Sequence, residues 1–428
     1  MSEEVRNREC SREKEADANA SKSKQICIFI DSEVYNDILC DPQAFRECLD
    51  QEIAAHPQLF PATIAQGYTL HDILPESKKM PGVRLRRIKL NVPVDETTSP
   101  VYTVRPSFVF PYMTGLTTVI ARALLLRLWG VPFWVLAYVF GRNAQYWYRL
   151  EQQVGRYSIV GTTVQVPENL PRDLLADEKH TRFHGDKAYI AMTVADECVL
   201  GAAVSLTADE PGLTEAYAPF KAEATRVDPE YTPRTVNTDG WAATQAAWRS
   251  LFSQVTVILC FLHAFLNVRK RCKRLQETYT ALKTRIWETY HAPDAPTFLA
   301  KIAALETWAT HTMPEGSGLD AVRKLCRKAP EFAKTYAHPY AYRTSNMIDR
   351  QIRLLERVLV RQQGFHGHLK SADRSCRAWA LYHNFRPYCP RSKIVETHQS
   401  PVDKLNGFVY HENWLHNLMI SASLGGYR

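Results

Sequence analysis

The segment DLLADEKHTRFHGDKAYIAMTVADECVLGAAVSLT, residues 173–207, decides the fold. It reads as three strands in succession, DLLADEKH, KAYIAMTVA and CVLGAAVSLT, each rich in aliphatic residues and separated from the next by polar residues. The character then changes: a helical stretch near 213–225, RTVNTD as a fourth strand, a helix near 241–252, and TVILCFL as a fifth strand. Three consecutive strands followed by helix–strand alternation imply an α/β core on a mixed sheet, within a chain that is α+β overall.

Upstream, residues 114–155 carry apolar residues every three to four positions, the spacing of amphipathic helices. In VPFWVLAYVFGRNAQYWYRL (131–150), Ala137 precedes Gly141 by four, and Trp147 and Leu150 follow where a helix-turn-helix needs apolar residues between its helices. Gly141 permits the positive φ of such a turn. Arg142, Asn143, Gln145, Tyr146 and Arg149 then fall on the outer face of the second helix, chemically suited to phosphates and base edges. A plain helical hairpin has the same spacing; region 111–166 is expected to be a DNA-binding region.

Before it, residues 26–110 form a small accessory domain: a helical stretch near 33–54, then GVRLRRIKLNV and VYTVRPSFVF as a β-hairpin. Residues 1–25 are almost devoid of apolar side chains and read as a disordered tail. After the core of 167–267, a helical insertion over 268–341 opens on VRKRCKR, where Arg269, Lys270, Arg271 and Arg274 are expected phosphate contacts. Residues 342–365, with the patterned helix TSNMIDRQIRLLERVLVRQQ, return to the core, and 366–428 are expected to form a C-terminal helical cap.

Composition sets the class. With 428 residues, 45% hydrophobic and 23% charged, the chain has material for a large core in two or more domains. Its net charge of +8 matters where the excess clusters. Ten cysteines without a CxxC pair, and an N-terminus (MSEEVRNREC) unlike a signal peptide, point to a reducing, cytoplasmic setting. LWGVPFWVLAYVFG (128–141) falls short of the ~20 apolar residues of a membrane span, so no membrane is expected.

Two acids stand at strand ends in this reading, Asp177 after the first strand and Asp239 after the fourth. A lone strand-end Asp is ordinarily a solvated turn residue. In the ribonuclease H arrangement, however, the sheet order is 3-2-1-4-5, and strands one and four bring these carboxylates together. Hard ions such as Mg²⁺ or Mn²⁺ favour carboxylate oxygens and keep water and phosphate as further ligands. Glu178 should point away from Asp177, because successive strand residues face opposite sides. A third acid would come from the helix of TSNMIDRQIRLLERVL, where Asp349 and Glu356 lie beside the apolar stripe Ile348, Ile352, Leu355 and Leu359. They are two turns apart, ~10 Å along the axis, and cannot hold the same ion. Ser345 or Asn346 is placed to cap this helix. Cys260 and His263 read as a packed thiol and a hydrogen-bonded imidazole, since no partner pair completes a zinc site. His180 and His184 read as polar surface residues.

These pieces together resemble a bacterial DDE-type transposase, similar to the Mutator-like group. The matching segments are LADEKH for the first acid, NTDGW for the second, LCFLHAFLNVRKR for the Cys-x-x-His segment that follows it, and TSNMIDR for the helix of the third, over roughly residues 115–390. The family usually has Glu at the third position; the aligned residue here is Asp349, with Glu356 as the alternative. The resemblance implies a ribonuclease H-like core interrupted by a helical insertion. It also implies Asp177, Asp239 and Asp349 as ligands of two Mg²⁺ or Mn²⁺ ions, and cleavage and strand transfer at the inverted ends of a mobile element. The implied partners are double-stranded DNA, as element ends and target, and further copies of the chain on that DNA. No small-molecule cofactor is implied, and the setting is the cytoplasm, with the nucleoid reached through DNA. The other expectation is a transposase-derived, sequence-specific DNA-binding protein without catalysis.

Overall fold

The computed structural model describes residues 24–94 and 100–427. Most of the expected polar tail and the tip of the expected hairpin lie outside the described residues. The first unit comprises β1 (Gln25–Ile28), α1 (Tyr35–Cys40), α2 (Pro42–Ala55), β2 (Tyr68–Ile73), β3 (Arg86–Leu90) and β4 (Val101–Pro106). Asp41 starts α2 by accepting from the amides of Gln43 and Ala44 at 2.8 and 3.2 Å, with Pro42 in the first turn. The four strands lie in the order β1-β4-β3-β2, with β1 parallel to β4 and the other pairs antiparallel.

Next come α3 (Thr117–Leu128), α4 (Phe133–Phe140), α5 (Ala144–Val154) and α6 (Ile159–Thr163). Gly141 and Arg142 both turn with positive φ, 72° and 63°, so two left-handed residues reverse the chain between α4 and α5. A buried ion pair, Arg127 Nε to Glu151 Oε2 at 2.6 Å, ties α3 to α5.

The second sheet is built from β5 (Asp173–Phe183), β6 (Asp186–Ala195), β7 (Cys198–Ser205), β8 (Thr235–Thr238) and β9 (Thr256–Leu259), with α7 (Glu210–Val227) and α8 (Ala242–Leu251) between its strands. Its order is β7-β6-β5-β8-β9. The first three strands pair antiparallel, and β8 and β9 join them parallel, giving the 3-2-1-4-5 order that neighbours the first and fourth strands. The fold is therefore mixed α/β, with two mixed sheets.

Five helices follow: α9 (Phe261–Cys272), α10 (Glu277–Tyr290), α11 (Ala295–Thr312), α12 (Ser317–Arg327) and α13 (Ala329–Ala333). They enclose a core of their own around Phe265, Ile286, Phe298, Leu305 and Val322. The chain closes with α14 (Asn346–Gln362), α15 (Leu369–Phe385), α16 (Pro401–Asn406) and α17 (Trp414–Ser421). On one face of the second sheet, Leu174 and Ala176 pack with Tyr217, Phe220 and Trp248 of α7 and α8. On the other, Leu175, Ile190 and Met192 pack with Ile348 and Leu355 of α14 and with Cys376 and Trp379 of α15.

Two expectations change. The first strand does not end at Asp177: β5 runs on to Phe183, because β6 pairs with it along that whole length while β8 reaches only as far as Leu175. The fifth strand stops at Leu259, and α9 begins at Phe261, so helix starts seven residues before the expected insertion boundary. The segment after 366 is largely helical, and α15 packs on β7 with all residues from Ala378 to Phe385 buried. No helix of the described residues is long and apolar enough to cross a membrane.

One long-range clamp joins the ends of the described chain. Ser423 Oγ accepts from the Cys27 amide at 3.2 Å and donates to the Leu59 carbonyl at 2.5 Å, so the turn at 423–426 sits against the open edge of β1. The Ser158 amide donates to the Gly425 carbonyl at 2.9 Å.

Candidate active site

Asp239 and Asp349, on two other elements, come within electrostatic reach of Asp177 on β5. Asp177 lies on β5 just beyond its last pairing with β8, so its side chain stands at the gap that opens where the parallel partner stops. Its carboxylate accepts from the Glu178 amide at 2.8 Å. Asp239 follows the last residue of β8 and accepts from the Trp241 amide at 2.8 Å; Gly240, with φ 96°, makes the turn between them. Asp349 lies in the first turn of α14, which crosses β5 and β6.

Electrostatics ties the three together. The Asp177 carboxyl is pushed up to about 6, first by burial, then by the Asp239 carboxylate, with Asp349 adding to it; the Glu178 amide and His263 oppose the rise. Carboxylates that share a site raise one another in this way, and a hard cation relieves the repulsion. Among the described residues, no three His, Cys, Asp or Glu side chains already stand as a ligand shell around one point. The donor set is nonetheless all-oxygen and acidic, the kind that suits Mg²⁺ or Mn²⁺ rather than a soft metal.

Glu178 turns to the opposite face, as the strand period requires. Its Oε1 accepts from the Tyr217 hydroxyl at 2.6 Å and the Thr244 hydroxyl at 2.8 Å, and burial pushes this carboxyl up to about 7. Glu356 also stands apart. Two turns beyond Asp349, it forms an ion pair with Lys179, Nζ to Oε1 2.5 Å.

The Cys260–His263 pair lies inside the site. Cys260 ends the β9 turn, and its Sγ accepts from the Ser345 amide at 3.2 Å and contacts Ser345 Oγ at 3.3 Å. Burial acts to raise this thiol, but hydrogen bonds with His263 and Ser345 outweigh it and hold the thiol below its ordinary value. His263 is raised to about 9, chiefly by its hydrogen bond with Cys260 and against burial, with Cys260, Asp177 and Asp349 contributing charge. Ser345 occupies the position before α14 without capping its backbone, contrary to the sequence expectation. Its hydroxyl instead donates to Asp349 Oδ2 at 2.9 Å, which fixes that carboxylate. Of the two expected surface histidines, His180 stacks at 12° on Trp241, beside Asp239, and His184 bonds the Gly367 carbonyl at 2.7 Å.

The expected recognition helix is α5, and the structure divides its five candidates. Arg142, Gln145 and Arg149 are exposed. Asn143 precedes the helix, and its side-chain oxygen caps it by accepting from the Tyr146 amide at 2.8 Å. Tyr146 is half-buried, with its hydroxyl donating to the Thr114 carbonyl at 2.8 Å. These two were expected on the outer face; capping and the α3 junction claim them instead. The opposite side of α5 is packed on α15, where Gln152 Nε2 donates to the Ser371 carbonyl and to Ser375 Oγ, each at 3.0 Å. Arg269, Lys270, Arg271 and Arg274 are all exposed at the end of α9 and just after it.

Sequence reasoning placed Cys260 and His263 in the core without linking them to the acids. The link runs through Ser345, and a hydroxyl four residues before an acid on a helix was the available signal. No protein family model matches the chain, and no curated protein matches it significantly.

Proposed function

We propose that this protein is a DNA transposase with a ribonuclease H-like catalytic core, which binds the inverted ends of its own element and cuts and joins phosphodiester strands there. The observation that carries the reading is the approach of Asp239 and Asp349, from the end of the fourth strand and a helix crossing the sheet, to Asp177 on the first strand, whose carboxyl is raised first by burial and then by those two charges. The 3-2-1-4-5 strand order supports it.

In this reading Asp177, Asp239 and Asp349 hold Mg²⁺ or Mn²⁺. Bound there, two such ions would supply an activated water or DNA 3′-hydroxyl and stabilise the leaving oxygen. The chain's own residues set the geometry. Ser345 orients the Asp349 carboxylate, His263 places positive charge facing the acids, and the buried Cys260 holds His263. Arg142 in the turn before α5, with Gln145 and Arg149 on it, reads the element ends in the manner of a helix-turn-helix, and Arg269, Lys270, Arg271 and Arg274 contact phosphates. Transposition requires two ends to be held at once, which implies several copies of the chain on DNA, in the cytoplasm and at the nucleoid.

The test is metal-dependent nicking of a plasmid carrying the DNA that flanks the gene, with Asp177→Asn beside the parent. Nicking by the parent that needs Mg²⁺ or Mn²⁺ and disappears in the variant supports the reading. Equal nicking by both, or none by either, defeats it.

A further inference from the structure

The space beside Asp239 has a second wall that the proposed chemistry does not use. A cleft of ≈ 170 Å³ lies between the sheet end and the helical insertion. Asp239 and His263 face it from one side, and Lys324 and Lys328, at the end of α12 and the start of α13, face it from the other. Leu259 and Phe332 supply apolar lining, and Asn267, one turn along α9 from His263, adds an amide.

The lysines are four residues apart on adjoining helical turns, and neither forms an ion pair among the described residues. Like charges at this spacing repel weakly, and an anion held between them relieves that repulsion. Lys328 is half-buried, and its Nζ is 3.5 Å from where a Cβ on Gly240 would stand, which puts the ammonium next to the residue that follows Asp239. A carboxylate cluster alone repels a polyanion; cations just outside it hold the flanking phosphates of a strand whose central phosphate lies at the acids. Lysine suits that role as a mobile point charge that ignores base identity.

We infer that Lys324 and Lys328 form a phosphate subsite for the nucleotide flanking the scissile one, so that the helical insertion acts as a clamp on the strand being cut. The inference rests on the proposed cleavage function for the register of the strand, whereas the anion cleft itself does not depend on cleavage.

The test therefore has a binding arm and a cleavage arm. Fluorescein-labelled oligothymidylate is titrated by anisotropy against the parent, Lys324→Gln/Lys328→Gln, and Lys324→Arg/Lys328→Arg, with thermal melting as a check on folding. Affinity at low salt should fall at least tenfold in the Gln variant and return in the Arg variant. The salt slope should flatten by ~1.4, about 0.7 for each single-strand phosphate no longer neutralised. Acetylation footprinting of the parent should show both lysines reactive alone and protected at saturating oligothymidylate. Lysines that stay equally reactive, or a Gln variant that binds within threefold of the parent, overturn the subsite. If binding is lost as expected but the parent never nicks DNA with Mg²⁺ or Mn²⁺, the cleavage reading falls and the anion cleft stands.

Discussion

Lys179 and Glu356 face one another across the packing of β5 on α14, with 2.5 Å between Nζ and Oε1. The ion pair gives Glu356 a cation of its own, while Asp349, two turns earlier, is turned by Ser345 toward the other acids. Asp349→Asn should therefore abolish metal-dependent nicking, and Glu356→Gln should leave it within a few fold. Because Glu356 is half-exposed, its loss should cost at most ~1 kcal/mol of stability. Nicking assays and chemical melts of the two variants read both outcomes, and the reverse ranking would move the third acid along the helix.

Asp177 should separate stability from activity. Its carboxyl is raised to about 6 from an ordinary value of 3.8, so above pH 6 the folded state carries a charge it disfavours relative to the unfolded chain. Asp177→Asn removes that charge and should stabilise the metal-free protein at pH 7, on the order of 1–3 kcal/mol, while eliminating nicking. Asp239→Asn should also eliminate nicking. Mn²⁺ should raise the Tm of the parent and leave that of Asp177→Asn nearly unmoved; an equal rise in both would remove Asp177 from any metal site.

Acid stability should be governed in part by His383. It is fully enclosed, stacked on Trp379, and held down to about 3, first by burial and then by the neighbouring Arg386. The unfolded chain takes up this proton near pH 6.5 and the folded chain does not. The stabilisation is thus complete above pH 6.5 and declines as pH falls toward 3, by about 1.4 kcal/mol per unit. Because the raised Asp177 and Glu178 carboxyls act in the opposite sense over the same range, the decline is read as the difference between parent and His383→Gln in urea melts from pH 7 to 4.5. Parent and His383→Gln with the same pH dependence over that range would contradict the assignment.

Two groups of exposed polar residues should fail differently on DNA. Arg142→Ala, Gln145→Ala and Arg149→Ala together remove three exposed side chains, the first from the turn before α5 and the other two from the helix itself, and should weaken binding to element ends by roughly 1–3 kcal/mol for each base edge no longer read. Replacing Lys270, Arg271 and Arg274 should weaken binding to end-containing and scrambled duplexes alike, and lower the salt slope by ~0.9 per phosphate released. Titrations of both duplexes at several salt concentrations separate the groups. Unchanged specific affinity in the α5 triple variant would mean that α4 and α5 are a packed hairpin and nothing more.

What could be read from the residues was what local periodicity controls. The opposite faces of Asp177 and Glu178 follow from the two-residue period of a strand, and the mixed sheet follows from the sequence of strand and helix patterns, whereas its 3-2-1-4-5 order was expected only by analogy with the ribonuclease H arrangement. The length of β5 was not legible, because the run EKHTRF continues a strand only while β6 pairs with it. Asn143 and Tyr146 looked free because their partners are a backbone amide and a carbonyl thirty-two residues away, which carry no residue signature. The position of α15 escaped for a related reason: an amphipathic stripe announces one buried face, and neither the strand that meets it nor the helix behind it. Lys324 and Lys328 resemble any solvated lysines until the sheet end is brought against them.

The clamp between Ser423 and Cys27 has a meaning for solubility. β1 is the outer strand of its sheet, and an outer strand offers its amides and carbonyls to any other extended chain that meets it. QICI, residues 25–28, is short, uncharged and β-prone, a poor sequence to leave open. The turn that shields it comes from 396 residues further along, so the shield is among the most non-local contacts of the fold and closes against a large loop entropy. Any partly folded form in which residues 423–426 have not yet docked leaves that edge available, and self-association through β1 is the natural misfolding route for this chain.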